Sequence, residues 1–499
     1  MKKIEDFVKE EGDSFPGKTY VEELLKPVFN DQRDYLFDAM FALHRAHVIM
    51  LNEQSLLSDE DTETILKGIN DLTKVEKESL KYQPEYEDLF FTMESKLGDI
   101  IGHEIAGKLH IARSRNDMGE GMYRFVLRDN LLSLIKEVDN LLKAFLEQSE
   151  VYVDSVMPAH THTQPAQPTT FGHWLLAIHD NLQRDRNRLV EAYKTVNKSP
   201  LGAAAITTTG FSIDRNRLAE LLGFEELMEN SYDAIGAGDY LLESAQAIES
   251  LMINAGRWIQ EFLRLVTNEV GLIKVSSPYV QISSIMPQKR NPVSIEHSRA
   301  LASNAVGKAN SIIQMLHNVP YGDVVDTEDD LQPSLYDGFD KATRALRLMF
   351  AVVRTMEFNE KLAEEQAYNN LIVITELADV LTRDYKVSFR KSHTMAATVA
   401  QKSDELGKEL YEWKAHEINE ILEEIKLSEL EWSNIVNPNV FVERRSIQGG
   451  PSHNEAVRMI ENRKKQMNKN ESLLQSLRQN LKDSKSNMRK IIENYEKCN

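Results

Sequence analysis

The sequence predicts an all-α fold built around a central bundle of long helices. Glycine (22 residues) and proline (14 residues) are both scarce for a chain of 499 residues, whereas sheet-rich folds need many turns. Apolar residues recur at helical spacing, without internal helix breakers, in five long stretches. They make up 41% of the chain, which is enough for a large core and argues against bulk disorder.

Four segments are predicted along the chain. Residues 1–112 form an N-terminal helical domain, with helices at 24–51, 58–72 and 85–102. Residues 113–360 form the bundle domain, whose long helices are expected at 119–151, 171–196, 238–269, 296–316 and 335–357. Residues 361–464 form a C-terminal helical domain, with helices at 364–384, 392–406 and 410–425. Residues 465–499 are rich in polar residues and are predicted to form a partly frayed helical tail.

Charge and composition exclude several classes of protein. A net charge of −19 argues against a nucleic-acid-binding surface, which needs a basic face. An anionic substrate remains compatible with this charge, because screening confines surface charges to about 10 Å. Cys498 is the single cysteine, which excludes an intrachain disulfide and a thiolate metal site. The charged start of the chain and the lack of long apolar runs predict a cytoplasmic protein without membrane contact.

The first polar loop with chemical potential is Arg113-Ser114-Arg115-Asn116-Asp117, directly before a long helix. Asn116 or Asp117 is a natural N-cap. A helix N-terminus with two adjacent arginines offers free N–H groups and bidentate donors to a carboxylate. A capped helix with surface arginines is an equally good interpretation of these residues alone.

The second loop holds His160, Thr161, His162 and Gln164 between prolines. A histidine can act as an acid or a base near neutral pH. The alternating histidines could also bind a metal, but no cluster of carboxylates or thiolates stands beside them. One of the two histidines is expected to be structural, because they point in different directions in an extended loop.

The third loop runs from Gln281 to Pro292 and contains Ser283, Ser284, Lys289 and Asn291. These side chains supply a base or nucleophile, a cation and an amide donor. A Ser-Xaa-Xaa-Lys hydrolase motif does not fit, because the lysine follows the serines by six and five residues. The chain also lacks a Gly-Xaa-Ser-Xaa-Gly elbow. A polar turn without function remains the alternative for this loop on its residues alone.

Residues 283–292, called the signature loop below, resemble the Ser-Ser-Xaa-Met-Pro-Xaa-Lys-Xaa-Asn-Pro signature of the fumarase/aspartase superfamily. Further segments are similar to argininosuccinate lyases, and the resemblance covers roughly residues 80–460. These segments are 107–117, 157–168, 200–202, 213–215, 230–234, 389–393 and 446–458.

The resemblance implies an all-α subunit of three domains with five long central helices. Four subunits would form a homotetramer with a twenty-helix core, and each active site would be built from loops of three chains. The implied reaction is an anti elimination through an aci-carboxylate, which releases fumarate and arginine from argininosuccinate without a cofactor. Stabilising the dianion is the difficult part, and preorganised donors do this best.

The resemblance also assigns roles to individual residues. Ser283 is the matched base, and Lys289 is matched to the developing dianion together with Asn291. His162, with Glu296 as its carboxylate partner, matches the residue that protonates the leaving amine. Matched substrate-binding positions are Ser114, Arg115, Asn116, Thr161, Gln164, Asn291 and Tyr321.

The chain departs from the family pattern at several positions. Ile282 replaces a usual glycine and Phe90 replaces a usual histidine, and an N-terminal Trp-Gly-Gly-Arg-Phe segment is absent. After Tyr321, a Gln-Glu-Asp-Lys type segment is replaced by residues 323–330, called the acidic loop below, which carry no lysine. A cation expected to meet the carboxylate of the amino acid is therefore missing.

Four functional hypotheses follow. The first is an argininosuccinate lyase, and the second is a related lyase that releases fumarate and a different, more cationic amine. A catalytically silent structural member of the same fold is the third, although the presence of Ser283, Lys289, Asn291 and His162 argues against it. A metal-dependent hydrolase rests only on the paired histidines.

Overall fold

The computed structural model describes residues 4–497, so Cys498 lies outside the described residues. The N-terminal part contains a nearly continuous helical path from Lys18 to Glu53, in which π-helical turns at Val21–Leu25 and Gln32–Leu36 interrupt the predicted helix. The α-helices of this part are α1 (Ile4–Glu11), α2 (Lys18–Tyr20), α3 (Lys26–Asp31), α4 (Phe37–Glu53), α5 (Asp59–Leu72), α6 (Leu89–Ile101) and α7 (His103–Gly107).

The five predicted long helices are all present, together with two short ones. They are α8 (Arg115–Val151), α9 (Phe171–Val196), α10 (Arg215–Leu222), α11 (Ser231–Gly236), α12 (Asp239–Val266), α13 (Val293–Leu316) and α14 (Leu331–Thr355). The long helices pack in the cyclic order α8, α9, α12, α13, α14 and back to α8, and α12 also contacts α14. Their apolar faces share one large core, as expected of a bundle of amphipathic helices.

Short strands form where loops pair. They are β1 (Val156–Thr161), β2 (Gln164–Thr170), β3 (Lys198–Ser199), β4 (Glu226–Leu227), β5 (Ile273–Lys274), β6 (Gln281–Ile282), β7 (Arg290–Asn291) and β8 (Glu357–Phe358). The pairs β1–β2, β5–β8 and β6–β7 are antiparallel, and β3–β4 is parallel. Two of the predicted polar loops are therefore hairpins rather than unpaired loops.

The C-terminal part contains α15 (Glu360–Tyr368), α16 (Ile374–Arg383), α17 (Phe389–Leu406), α18 (Ala415–Leu422), α19 (Glu429–Ile435), α20 (Pro438–Glu443) and α21 (His453–Lys497). The prediction of a single helix at 364–384 is wrong. Asn370 (φ +60°) and Leu371 (φ +54°) have left-handed backbone between α15 and α16, and such residues end a right-handed helix. Residues 373–441 contribute to a separate apolar core.

The predicted frayed tail is instead part of one continuous helix, α21, which has 45 residues. It runs back along α9, α8, α10 and α5. Met488 and Ile492 join the apolar core of the N-terminal part, and the Tyr495 hydroxyl donates to Asn52 Oδ1 at 2.5 Å. The predicted boundary at residue 464 lies inside this helix, and the domain limits as a whole stay a prediction.

No helix within residues 4–497 combines the length and the apolar character that a membrane span requires.

Candidate active site

The start of α8 is fixed by a capping box. Ser114 Oγ accepts a hydrogen bond from the Asn116 N–H at 3.3 Å, and the Ser114 N–H donates to Asp117 Oδ1 at 2.9 Å. Asp117 Oδ2 also accepts from the Gly202 N–H at 2.9 Å, and burial raises the pKa of this carboxyl to about 6. The helix N-terminus therefore holds the 200–205 loop beside it.

The side chains of Arg115 and Asn116 contact different parts of the chain from the capped start of α8. Arg115 Nη1 lies 3.1 Å from Asp88 Oδ2 and 3.4 Å from Glu87 Oε2, and its guanidinium lies over the Phe91 ring. The Asn116 amide donates to the Ala205 carbonyl at 3.2 Å. Two of the predicted substrate-binding side chains are thus positioned by protein contacts within one chain.

Phe90, which departs from the family pattern, fills a buried position behind this loop. Its ring packs edge-on against the imidazoles of His44 and His110 and lies 5.3 Å from the Arg113 guanidinium. Arg113 Nη1 donates to His44 Nδ1 at 2.9 Å, and burial together with Arg113 holds the pKa of His44 well below its usual range. Phe90 therefore supports Arg113 by cation–π contact.

The second predicted loop is the β1–β2 hairpin. Thr161 pairs with Gln164, and the two residues between them, His162 (φ +50°) and Thr163 (φ +66°), both have left-handed backbone. Positive φ at both central residues matches the twist of a two-residue hairpin turn. Thr161, His162 and Gln164 are all exposed, so the hairpin presents these candidate site residues at its tip.

The third predicted loop is closed by the β6–β7 pair, in which Ile282 faces Arg290. Arg290 Nη2 donates to the Val275 carbonyl at 3.0 Å and anchors the base of the loop. Ser283 Oγ accepts hydrogen bonds from the backbone N–H groups of Ile285 (3.3 Å) and Met286 (3.1 Å). Two N–H donors aimed at one hydroxyl oxygen favour its deprotonated form.

Most of the remaining signature-loop side chains are exposed. Lys289 is exposed, Asn291 is half-buried, and Ile282 and Ile285 are 67% and 82% exposed. Large apolar side chains at this level of exposure indicate a surface that another molecule or chain covers. Across residues 4–497, no hydrogen bond or ion pair of one chain joins His162 to Glu296, which lies in the first turn of α13. The predicted His162–Glu296 pair is therefore not formed within the described part of one chain.

A cavity of about 320 Å³ opens beside Arg115 and Asn116. The acidic loop forms one wall of it, the start of α8 a second and the N-terminal helices a third. Its polar lining comprises Tyr20, Gln32, Glu87, Asp88, Arg115, Asn116, Glu120, Tyr123, Asp323, Thr327, Glu328, Asp329 and Asp330.

Tyr321 lies before the acidic loop and contacts the 230–236 region. Its hydroxyl donates to Asp233 Oδ1 at 2.5 Å, and its ring stacks on Tyr232 at a centroid distance of 6.2 Å. The hydrogen bond to Asp233 raises the pKa of Tyr321 to about 12. The Asn230 side chain caps α11 by accepting from the backbone N–H groups of Tyr232 and Asp233. It therefore positions both residues that contact Tyr321.

Comparisons with known proteins agree with this arrangement. A family model described as Lyase matches residues 17–307, and a model described as Argininosuccinate lyase C-terminal matches residues 371–443. A protein of Agrobacterium fabrum named argininosuccinate lyase 2 is 40% identical over 444 residues, which cover 88% of each chain. The chain belongs to the argininosuccinate lyase family. It is therefore a carbon–nitrogen lyase of the fumarase/aspartase superfamily.

Other members of the family are also similar over most of their length. The argininosuccinate lyase of Methanosarcina acetivorans is 33% identical over 479 residues, which cover 95% of this chain and 97% of that protein. A solved structure of an EDDS lyase variant with bound fumarate matches with a TM-score of 0.84 at 29% identity, covering 94% of this chain and 95% of that chain. A class II fumarase of Schistosoma mansoni, at 15% identity and a TM-score of 0.66, shares the fold.

Membership of the argininosuccinate lyase family confirms the predicted family and the all-α fold. Glu120, which was not among the residues predicted from the sequence, lines the cavity and is 6% exposed. Glu120 follows Asn116 by four residues on α8, so both side chains lie on one face of the helix. That spacing was visible in the sequence and could have identified Glu120.

The histidine pair shows no metal-binding geometry in the structure. Among the described residues, no group of three or more His, Cys, Asp and Glu side chains is arranged to hold a metal ion. His160 is half-buried, and burial, followed by the nearby Arg264, lowers the pKa of its imidazole. These contacts are consistent with a structural role for His160 beside an exposed His162.

Proposed function

We propose that the chain cleaves the C–N bond of argininosuccinate and releases fumarate and arginine. The observation that carries this proposal is the signature loop, in which Ser283 Oγ accepts two backbone N–H groups and Lys289 and Asn291 follow on the same loop. The names of the relatives support argininosuccinate as the substrate.

In this mechanism Ser283 removes a proton from the carbon beside a succinyl carboxylate. A serine hydroxyl is a poor base in water, but the two N–H donors at Oγ, a nearby cation and exclusion of water all favour the alkoxide. The electron pair of the broken C–H bond moves onto the carboxylate and forms the aci-carboxylate dianion. Lys289 and Asn291 are the donors proposed to stabilise it, because preorganised charge and dipoles act most strongly in a water-excluded site.

Collapse of the dianion expels the amine on the opposite face and leaves fumarate. We propose that His162, oriented by Glu296, gives the departing nitrogen its proton, since an imidazole beside a carboxylate can serve as a general acid near neutral pH. Substrate carboxylates and the succinyl group are proposed to contact Ser114, Asn116, Thr161 and Gln164, with Arg115 and Tyr321 near the amine half.

Each complete site is proposed to combine loops of three subunits in a homotetramer. The support comes from the exposure of the His162 hairpin and of the signature loop and from the absence of any His162–Glu296 contact within residues 4–497 of one chain. A closed symmetric tetramer brings such separated loops together at several equivalent corners.

A direct assay tests the reaction and the substrate. The full-length protein is incubated with argininosuccinate, and the absorbance of fumarate is followed over time. Turnover that yields equal amounts of fumarate and arginine supports the proposal. A protein that forms no fumarate from argininosuccinate contradicts the assignment of arginine as the amine half.

A second candidate is a related lyase that releases fumarate and a different amine. The acidic loop favours it, because the cavity beside Asn116 is lined by several carboxylates and lacks the expected lysine. The similarity to EDDS lyase adds support. Consumption of fumarate with another amine, but no turnover of argininosuccinate, is the result that selects this candidate.

A further inference from the structure

Arg215, in the first turn of α10, holds two separate backbone segments together. The first segment is residues 200–205 and the second is residues 228–233. The guanidinium donates hydrogen bonds to two carbonyl groups of each segment, which are those of Leu201 (2.9 Å), Pro200 (3.4 Å), Met228 (3.0 Å) and Glu229 (3.0 Å). A guanidinium has five N–H donors in a fixed planar fork, so one side chain fixes the distance between the two segments.

The four carbonyl groups follow directly on the ends of β3 and β4. The parallel pair ends at Ser199 and Leu227, and each segment then runs to a different part of the site. Backbone groups that leave a ladder need other hydrogen-bond partners. Arg215 supplies these partners, so it extends the connection between the segments beyond the strands.

The first segment leads to the succinyl side of the proposed site. The Gly202 N–H donates to Asp117 Oδ2 at 2.9 Å, and the Ala205 carbonyl accepts from the Asn116 amide at 3.2 Å. Gly202 has left-handed backbone (φ +76°), and a Cβ atom there would lie 2.6 Å from Arg215 Cγ. Glycine therefore allows the Arg215 side chain to lie directly against this segment.

The second segment leads to the amine side of the proposed site. The Asn230 side chain accepts from the backbone N–H groups of Tyr232 and Asp233 and caps α11. Tyr232 stacks on the Tyr321 ring, and Asp233 accepts a hydrogen bond from the Tyr321 hydroxyl. Arg215 is thus linked through the backbone to Tyr321 on one side and, through the first segment, to Asn116 on the other.

We propose that Arg215 is a positioning residue that keeps Asn116 and Tyr321 at the spacing that the substrate requires. The role rests on the reaction proposed above, in which Asn116 contacts the succinyl half and Tyr321 lies near the amine half. Arg215 is not among the residues that line the cavity beside Asn116, so it acts through the two segments. The reacting bond lies between the two halves, and a misplacement of about 1 Å can lower the rate by about 100-fold.

Arg217 provides a matched control two residues further along α10. Its guanidinium donates to Glu53 at 2.8 and 2.9 Å and to Glu220 at 2.7 Å. These contacts join α10 to α4 and do not involve either segment. Arg215 and Arg217 are both half-buried. Exchange of either arginine for lysine removes a planar fork from the same helix, but only the exchange at Arg215 releases the two segments.

The test compares Arg215→Lys with Arg217→Lys in the full-length protein. For each, kcat and KM for argininosuccinate are measured per folded protein, well below its Tm. One ammonium group cannot reproduce the fork that reaches both segments, so Arg215→Lys should lower kcat by about 10-fold or more, with a smaller change in KM. Arg217→Lys should keep kcat within about 2-fold of the wild type. If the wild type accepts only another amine, the reverse reaction of that amine with fumarate is used.

Amide hydrogen exchange provides a second measurement that does not require turnover. Peptides that cover residues 198–206 and 226–234 should exchange about 5-fold faster or more in Arg215→Lys than in the wild type, because both segments lose charge-assisted hydrogen bonds. Arg217→Lys should leave their exchange unchanged. If Arg215→Lys does not fold by circular dichroism, Arg215→Gln is used in both measurements.

A kcat of Arg215→Lys within about 2-fold of the wild type, or an equal loss in both variants, overturns the positioning role. A wild type that turns over neither argininosuccinate nor fumarate with any amine overturns the proposed reaction, which is a different result. In that case hydrogen exchange decides the role of Arg215. Faster exchange of both segments in Arg215→Lys alone supports it, and unchanged exchange rejects it.

Discussion

At the residue scale, the chemistry depends on where single polar atoms lie. Ser283 Oγ accepts two backbone N–H groups within its own loop, whereas Glu120 Oε2 has no hydrogen-bond partner among the described residues. The first arrangement prepares an oxygen to become an anion. The second leaves a buried carboxyl oxygen without a donor, which favours the protonated form of Glu120.

The first prediction concerns the base. Ser283→Ala is expected to lower kcat by about 10³-fold, because positioned general-base catalysis contributes on this order. Ser284→Ala is the control, since Ser284 is the exposed neighbour on the same loop, and it should retain most of the wild-type kcat. Full activity of Ser283→Ala in the fumarate assay would remove Ser283 from the mechanism.

The second prediction concerns the pH dependence of stability at Glu120. Burial raises the pKa of Glu120 from 4.5 to about 8, so the folded state binds this proton more tightly than the unfolded state. The stability of the wild type is then fully present below the unfolded pKa and declines as pH rises towards about 8. Glu120→Gln lacks this loss, so its Tm relative to the wild type should increase from about pH 5 to about pH 9.

Thermal unfolding of both proteins across this pH range provides the measurement. A Tm difference that stays constant with pH is the contrary result, because it would mean that Glu120 titrates alike in the folded and unfolded states.

At the residue scale, the sequence predicted the polar residues of the site but not their partners. Ser114, Arg115 and Asn116 were identified by their position before a long helix, and all three lie at the capped start of α8. The contacts of Tyr321 with Asp233 and Tyr232 join residues nearly 90 positions apart. No local pattern encodes such a pairing.

At the scale of elements, helix type was predictable and loop geometry was not. The bounds of α9 agree with the prediction because a helical apolar pattern and the N-cap Thr170 define them locally. The hairpin at His162 was not predicted, because histidine and threonine occupy the two central turn positions where asparagine and glycine are usual. The break between α15 and α16 was missed, although Asn370 belongs to a residue type that tolerates left-handed backbone.

The third prediction concerns α21, whose last turns pack into the N-terminal core. Met488 and Ile492 are 7% and 8% exposed there. Met488→Ala and Ile492→Ala should each lower the free energy of unfolding by about 2–4 kcal/mol, the usual cost of a buried cavity. Lys490→Ala, on the exposed face of the same turn, should change it by less than about 0.5 kcal/mol.

Denaturant unfolding of the three variants measures these differences. If the two core variants unfold at the same denaturant concentration as Lys490→Ala, the C-terminal turns of α21 do not support the N-terminal part.

At the scale of the whole molecule, the closed bundle and the exposed loops are the observations behind the proposed shared site. Five helices close into one core, while the hairpin tip and the signature loop stay exposed. The sequence predicted this bundle from helix length alone. Helix periodicity does not predict which loops meet, because it carries no information on how separate loops pair.

The fourth prediction tests sharing between subunits. Ser283→Ala and His162→Asn should each be inactive alone. Co-expressed subunits that mix at random in a tetramer would combine an intact Ser283 and an intact His162 at about a quarter of the sites, since each comes from a different chain. Recovery of about a quarter of the wild-type activity supports the shared site, and no recovery, or a monomer by sedimentation, contradicts it.

We propose that the chain breaks the C–N bond by anti elimination and forms it by anti addition of an amine to fumarate, with Ser283 as the base in the elimination. The most direct measurement is the reverse reaction in heavy water, with fumarate and the reactive amine, followed by proton NMR. An anti mechanism through Ser283 predicts a product with one deuterium beside the carboxylate in a single configuration, anti to the new C–N bond, and no such product from Ser283→Ala. An equal mixture of both configurations, or a product without deuterium, would contradict it.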